Sequence, residues 1–376
     1  MAGIYLHIPF CKQACHYCDF HFSTNTDRIE EMIQMMAKEA NLRKDFLGNE
    51  TVETIYFGGG TPSLLEPKWI DYLLQKLDSI FPTNLKEITL EANPDDLTVE
   101  RLQSWKSMGV DRLSLGIQSF DNRLLNYYNR AHTAQESKDA IKKARSAGFS
   151  KFSMDLIYGF PAKDHSIWKK DLSLAFEQNP GHLSCYALTV EPRTALGAWE
   201  KKGEFIQADE DFVAEQFEIL QEESEKHGYR QYEISNFAPE GKEALHNTNY
   251  WRGIPYLGLG PGAHSFDGSM RTANIRNNAL YIKQVQAGTF RSEREDLAQE
   301  DILNEYILTS LRTVWGLDLD YLQTRFGKNL KQEKASRLQQ LEEAGWLLWS
   351  GNTLSLSKSG KLLADSIAST LFYESP

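Results

Sequence analysis

Two hydrophobic periods alternate along the first half of this chain, and that alternation limits the folds open to it more than any other feature. Short β-rich runs occur at Gly3–Ile8, Val52–Phe57, Glu87–Ala92, Arg112–Gln118, Phe152–Tyr158 and His182–Val190, each bounded by Gly, Pro, Asn or Asp. Between them, Asp27–Leu47, Pro67–Ile80, Thr98–Met108, Thr133–Ala147 and Ser166–Gln178 carry helical spacing; the first places Ile29, Met32, Ile33, Met36 and Ala40 on one face. Strand–helix alternation repeated about six times predicts a parallel sheet with helices outside it. The unusual polar residues favour a barrel-like closure over a flat sheet. Gly58–Thr61, Glu91 with Asn93, Gln118 and Asp155 fall at or just after the ends of successive strands. That rim is where (β/α) barrels assemble their sites.

After about Val190 the pattern loosens. A helix is expected over Asp209–His227 and a strand over Tyr229–Phe237, followed by a loop-rich stretch to about Ala279. Helical runs at Asp301–Val314, Leu319–Phe326 and Lys331–Ala344 then precede a hairpin turning at Ser350-Gly351-Asn352 and a last helix over Lys358–Leu371. Three helices, a hairpin and a closing helix read as a winged-helix-like α+β domain. The expected division is a barrel over 1–237, an extension and linker over 238–296, and the C-terminal domain over 297–376. The last segment has eight Lys/Arg against ten Asp/Glu, so it reads as a lid or packing domain rather than a DNA reader. The whole chain, 41 basic against 52 acidic residues, is a poor match for nucleic acid. No apolar run is long enough for a membrane span, and no export signal opens the sequence, so a cytoplasmic location is expected.

Three of the four cysteines, Cys11, Cys15 and Cys18, lie on one short stretch after the first strand, while Cys185 stands alone within HLSCYALTV and is expected to pack in a strand. Clustered thiols suit a metal site in a reducing compartment, not a disulfide scaffold. Zinc would take a fourth ligand from His16 or His21. An iron–sulfur cluster would use the three thiolates, keep one iron open, and be shielded by Phe10, Tyr17, Phe20 and Phe22.

The CxxxCxxC spacing followed by GGGTP after the second strand resembles the radical S-adenosylmethionine (SAM) superfamily, whose fold would here be a partial (β/α)6 barrel. The string YLHIPFC (Tyr5–Cys11) resembles the oxygen-independent coproporphyrinogen III oxidase group within it. Matching motifs recur at Gly58–Ser63, Glu91–Pro94, Gly116–Phe120, Arg130–His132, Asp155–Gly159 and Glu233–Ala238. The resemblance implies a 4Fe-4S cluster on Cys11, Cys15 and Cys18, with SAM chelating the unique iron. It implies SAM contacts from Tyr5, Tyr17, Gly59, Gly60, Thr61, Glu91, Gln118, Arg130, Asp155 and Ala187.

Two departures separate the chain from the oxidase pattern. Position 20 is Phe20 where the oxidase has a further cysteine, and only ten residues precede Cys11 where the oxidase has a long extension. Meanwhile His246-Asn247-Thr248-Asn249-Tyr250-Trp251 resembles the HNxxYW motif of HemW-type heme chaperones. That resemblance implies heme contacts from His246, Tyr250 and Trp251, His246 being the candidate iron ligand and His264 a weaker one. The implied function is delivery of heme to an acceptor protein, with a membrane-bound cytochrome as candidate acceptor and a homodimer as candidate assembly. The alternative is oxidative decarboxylation of coproporphyrinogen III to protoporphyrinogen IX.

Overall fold

The computed structural model describes residues 1–374. Six strands, β1 (Ala2–Ile8), β2 (Val52–Gly59), β3 (Thr83–Ala92), β4 (Arg112–Gln118), β5 (Lys151–Tyr158) and β6 (Gly181–Ala187), pair in parallel in sequence order. Helices Ile29–Leu42, Pro67–Ile80, Val99–Ser107, Ala134–Ser146 and Ser166–Gln178 fill the five crossovers. Local chemistry sets several of their starts. Pro67 opens its helix, where its missing N–H costs nothing, and Thr133 with Glu136 forms a reciprocal capping box.

The strand period of two gives each strand two distinct faces. Ile4, Leu6 and Ile8 of β1, Ile55 and Phe57 of β2, Leu113, Leu115 and Ile117 of β4, and Met154 and Leu156 of β5 pack with the helices in one core. Met32, Ile33, Met36 and Ala40 of the first helix are buried there, as their spacing predicts. The intervening residues, among them Tyr56, Glu91, Ser114, Asp155 and Ser184, face a cavity inside the arc.

The sheet extends beyond six strands. β7 (Arg230–Gln231) and β8 (Asn236–Ala238) continue it antiparallel past β6, where the sequence suggested one strand over Tyr229–Phe237. At the other edge β9 (Tyr256–Leu259) lies parallel to β1, and β10 (His264–Phe266), β11 (Met270–Ala273) and β12 (Glu293–Asp296) follow as an antiparallel meander. β7 and β12 stand at opposite ends of the order, so the barrel stays partial. The stretch expected to be loop-rich therefore supplies three strands and the helix Leu245–Trp251. Each is too short to show a period, and β9 forms because β1 offers it an edge.

A buried polar knot fixes this added edge to the barrel. Glu39 accepts from Arg43 at 3.1 Å, from the Asn274 amide at 2.8 Å, from the Gly260 N–H at 2.9 Å and from the Tyr281 hydroxyl. Burial pushes its carboxyl upward, while Arg43 and the other donors pull it back toward the charged form.

The C-terminal domain has its own core, built from Leu303, Ile307, Leu311, Leu322, Leu338, Leu354 and their neighbours. Its three-stranded sheet contains the expected hairpin, Leu347–Ser350 against Thr353–Leu356. The helix expected over Lys331–Ala344 is interrupted at Lys334, and the last one begins as a 3-10 turn at Gly360–Leu363 before the α-helix Ala364–Thr370. Val314 N–H donates to the Tyr232 carbonyl at 3.0 Å, joining this domain to the β7–β8 edge. Replacing Glu39→Ala would strand Arg43 without a counter-charge. Urea denaturation should then show a loss of about 3–5 kcal/mol of unfolding free energy; an unchanged midpoint would show that the knot does not anchor the edge.

Candidate cofactor site

The cysteine loop leaves the end of β1 and crosses the open ends of the neighbouring strands. Cys11 N–H donates to Ser23 O at 3.0 Å, and two backbone bonds clamp the loop to the glycine run after β2: Gly60 N–H to Ile8 O at 2.8 Å and Thr61 N–H to Phe10 O at 2.7 Å. This close approach explains the glycines. Gly59 has φ +102°, and a Cβ there would come within 2.7 Å of the His7 ring. A Cβ on Gly60 would lie 2.7 Å from the Phe10 carbonyl oxygen.

Cys11, Cys15 and Cys18 line a cavity of about 700 Å3 that runs from this loop into the barrel. Two of the three sulfurs have a hydrogen-bond donor: Thr61 Oγ1 to Cys11 at 3.4 Å and Arg130 Nη1 to Cys15 at 3.4 Å. Burial pushes the Cys11 and Cys18 thiols up to about 11. Bare thiolates are therefore disfavoured there, and positively charged irons in place of the protons would relieve that penalty. Donors aimed at sulfur suit an iron–sulfur cluster, whose potential they tune. The two candidate fourth ligands for zinc each have one ring nitrogen engaged, which leaves the other nitrogen of each ring free. His16 Nδ1 pairs with Tyr127 O at 2.7 Å and His21 Nε2 with Asn278 Oδ1 at 2.7 Å. Among the described residues no three His, Cys, Asp or Glu side chains are gathered around a single-ion position.

The same cavity collects Tyr17, Gly59, Gly60, Thr61, Glu91, Gln118, Arg130, Asp155 and Ala187. Tyr5 is not on its wall; it lies behind, with its hydroxyl 3.2 Å from His7 Nδ1 and its ring 6.0 Å from that of Tyr56. Glu91 accepts from the Tyr56 hydroxyl at 2.8 Å, and burial pushes its carboxyl up to about 8. Asp155 lies within β5, three residues before the strand end, not at the rim. It accepts from Ser114 Oγ at 3.0 Å and Ser153 Oγ at 3.1 Å, and burial raises it to about 6 against those donors. Gln118 has φ +63°, a left-handed conformation unusual for a residue with a Cβ. Arg130 donates to Asn93 Oδ1 at 2.6 Å and to Gly116 O at 3.0 Å as well as to the Cys15 sulfur. Burial opposes its charge, but Tyr17 and Cys15 beside it leave it more basic than an ordinary arginine.

The HNTNYW residues sit elsewhere. His246 is 2% exposed, with Nδ1 2.8 Å from Thr54 Oγ1, Nε2 2.9 Å from the Tyr250 hydroxyl, and its ring stacked 5.1 Å from Tyr56. Burial lowers its basicity to about 3, so it is neutral. Trp251 lies under the Arg312 guanidinium at 5.3 Å. Asn247 is the motif residue that reaches the cavity. His264 is exposed on β10. Sequence reasoning passed over the partners Tyr56, Ser114 and Ser153, although their alternation within the strands marks them as inward-facing. It named Asn247 only as part of the HNxxYW motif and gave no signal for Arg276; the fold delivers both to the cavity from distant segments.

Residues 5–174 match the radical SAM superfamily and residues 297–363 the HemN C-terminal domain. Over 371 residues the chain is 33% identical to the heme chaperone HemW of Bacillus subtilis, covering 98% of each protein. It is 32% identical over 375 residues to the heme chaperone HemW of Mycobacterium tuberculosis, covering 98% of this chain and 94% of that one. In structure it is similar to the radical SAM coproporphyrinogen III oxidase HemN of Escherichia coli, with TM-score 0.85, 22% identity, and coverage of 99% of this chain and 90% of that chain. This last likeness bears on fold alone.

Asp155 gives the cofactor-free protein a pH signature. Its folded value of about 6 exceeds the ordinary 3.8, so the folded state keeps a proton that the unfolded chain has lost between those values. Stability should fall as pH rises through that window. Asp155→Asn should flatten this part of the profile, measured as melting temperature against pH; an unaltered slope would remove Asp155 as its source. His246→Ala, which leaves Thr54 and Tyr250 without a partner, should cost about 2–4 kcal/mol by denaturant titration. A cost near zero would mean His246 is not held as described.

Proposed function

The chain belongs to the HemW family of the radical SAM superfamily, and we propose that it is a heme chaperone that binds heme and delivers it to an acceptor protein. The observation that carries this reading is the end-to-end likeness to proteins named heme chaperone HemW, spanning 98% of this chain in both cases. Superfamily membership implies a 4Fe-4S cluster and SAM, and the cavity supports where they would be held. Cys11, Cys15 and Cys18 would hold the cluster, with Gly59, Gly60, Thr61, Glu91, Gln118, Arg130, Asp155 and Ala187 around SAM, Tyr17 beside the cluster and Tyr5 behind. When bound, cluster and SAM together supply one-electron radical chemistry.

The chain's own residues position and insulate. Arg130 ties the cysteine loop to the ends of β3 and β4 through Cys15, Asn93 and Gly116. Thr61 ties the loop to the end of β2 through Cys11. Glu91 and Asp155 present acceptors suited to hydroxyl or ammonium donors of a cationic ligand. Heme contacts from His246, Tyr250 and Trp251 belong to an opened state. Both His246 ring nitrogens are engaged, Nδ1 by Thr54 of β2 and Nε2 by Tyr250 of its own helix, so iron ligation requires the helix Leu245–Trp251 to turn away from β2 or the Tyr250 hydroxyl to release the ring. In this reading the chaperone acts in the cytoplasm, with a membrane-bound cytochrome as acceptor and a homodimer as the carrier. Among the described residues no helix is long and apolar enough to cross a membrane.

Hemin titrated into anaerobically reconstituted protein should give a saturable Soret band, and the loaded protein should transfer heme to an apo-cytochrome. Sustained release of carbon dioxide and formation of protoporphyrinogen IX from coproporphyrinogen III, SAM and reductant would instead make the chain an oxidase and overturn this reading.

A further inference from the structure

Three cationic side chains line the cavity: Lys12, Arg130 and Arg276. Two are committed within the protein. Lys12 is paired with Asp95 at 2.6 Å and with Asp96. Arg130 is buried among Asn93, Gly116, Cys15 and Tyr17. Arg276 differs. It is exposed, donates through Nη2 to the Asp19 carbonyl at 2.9 Å, and has no carboxylate partner among the described residues. A guanidinium carries five N–H donors in a planar fork matched to a carboxylate, so most of its capacity is free.

Its backbone is nonetheless fixed on both sides. Asn274 is buried, donating to Glu39 at 2.8 Å and to the Gly260 carbonyl at 2.8 Å. Asn277 caps the helix Asn278–Ala287 by accepting from Leu280 N–H at 2.9 Å. A cation in a pre-set position loses little freedom when it binds an anion.

Beside it on the rim stands an aromatic side chain in the same condition. Phe20 lines the cavity and is 70% exposed, although its chain segment is pinned. The preceding Asp19 is held through its carbonyl by Arg276 and through its carboxylate by Arg193 at 2.9 Å. Phe22, also lining the cavity, adds a second apolar side chain to this rim. Inside the cavity the walls carry Glu91 and Asp155, which accept from Tyr56 and from Ser114 and Ser153 and offer a carboxylate no cationic partner. An exposed ring on an anchored segment beside a guanidinium with no carboxylate partner among the described residues matches a flat apolar ligand with carboxylates on its edge.

Resting on the reading that the chain carries heme, we propose that the macrocycle seats on this outer rim, with Phe20 against its face and Arg276 paired with a propionate. The cluster and SAM positions then lie beneath the macrocycle, and in this closed conformation His246 has no part in binding it.

Three probes titrated against the full, cluster-reconstituted chain test this: hemin, iron-free protoporphyrin IX, and protoporphyrin IX dimethyl ester. Arg276→Glu should weaken hemin and protoporphyrin IX about tenfold or more, the scale of a charge-assisted bond, and leave the dimethyl ester unaffected. Phe20→Asp should weaken all three. Arg276→Gln and Phe20→Ala should act in the same direction with smaller effect. Iron content and melting temperature, checked for each variant, separate a lost contact from a damaged cysteine loop. Wild-type hemin affinity in well-folded Arg276→Glu and Phe20→Asp proteins, with binding abolished by His246→Ala, overturns the rim site and leaves the chaperone reading standing. No saturable hemin binding by the wild-type chain overturns the chaperone reading and the rim site with it.

Discussion

Each parallel strand must satisfy two environments at once, an apolar layer under the helices and a polar interior, and the rest of the structure follows from how the second is managed. A buried polar group without a partner costs several kilocalories per mole at worst, so the inner face is a lattice of pairs. Low in the barrel the pairs are internal: Arg112 with Glu87 at 2.9 Å, Ser153 with His182 at 2.8 Å, Thr54 with His246 at 2.8 Å. Higher up the pairing thins. Glu91 and Asp155 retain hydroxyl partners but stay raised by burial, and two of the three thiols have a single donor. The ligand site begins where the protein stops satisfying its own polar groups. Thr89 Oγ1, buried without a partner, is an exception lower in the barrel.

How much was legible in advance depended on whether a property repeats along the chain. The six strands and five crossover helices were readable because their periods persist over six or more residues. Pro67–Ile80 and Ser166–Gln178 match their expected bounds. The cysteines and the rim residues were readable because polar side chains and glycines at successive strand ends have no packing explanation. β9 was not readable. Four residues, Tyr256–Leu259, cannot display a period, and what makes them a strand is the free edge of β1, with Leu6 opposite Leu259. Arg276 was invisible for a related reason. Its role depends on which acids do not reach it, and pairing between distant segments is decided by the tertiary fold. Asp155 was placed at a rim where it belongs to a strand interior, since its polar character marked the inner face but not the depth.

The HNTNYW segment shows why a motif and its spatial role have to be argued separately. Its short helix points in three directions. His246 and Tyr250 turn into the core against Thr54 and Tyr56, Asn247 turns to the cavity, and Trp251 turns to the C-terminal domain beneath Arg312. The contact with that domain is reciprocal, because Arg252 lies over the Trp315 ring at 4.6 Å. Partly exposed cation–π pairs of this kind contribute about 0.5–1 kcal/mol each, too little to lock two cores together but enough to bias how they sit. A change at the cavity wall felt by Asn247 therefore has a short covalent path to the interface at Trp251. Displacing the helix would break the Thr54–His246 hydrogen bond and both cation–π contacts together, while the His246–Tyr250 bond lies within the helix. The motif's six residues thus tie cavity, barrel core and C-terminal domain to one rigid element, a structural reason for so many polar and aromatic side chains to stand side by side.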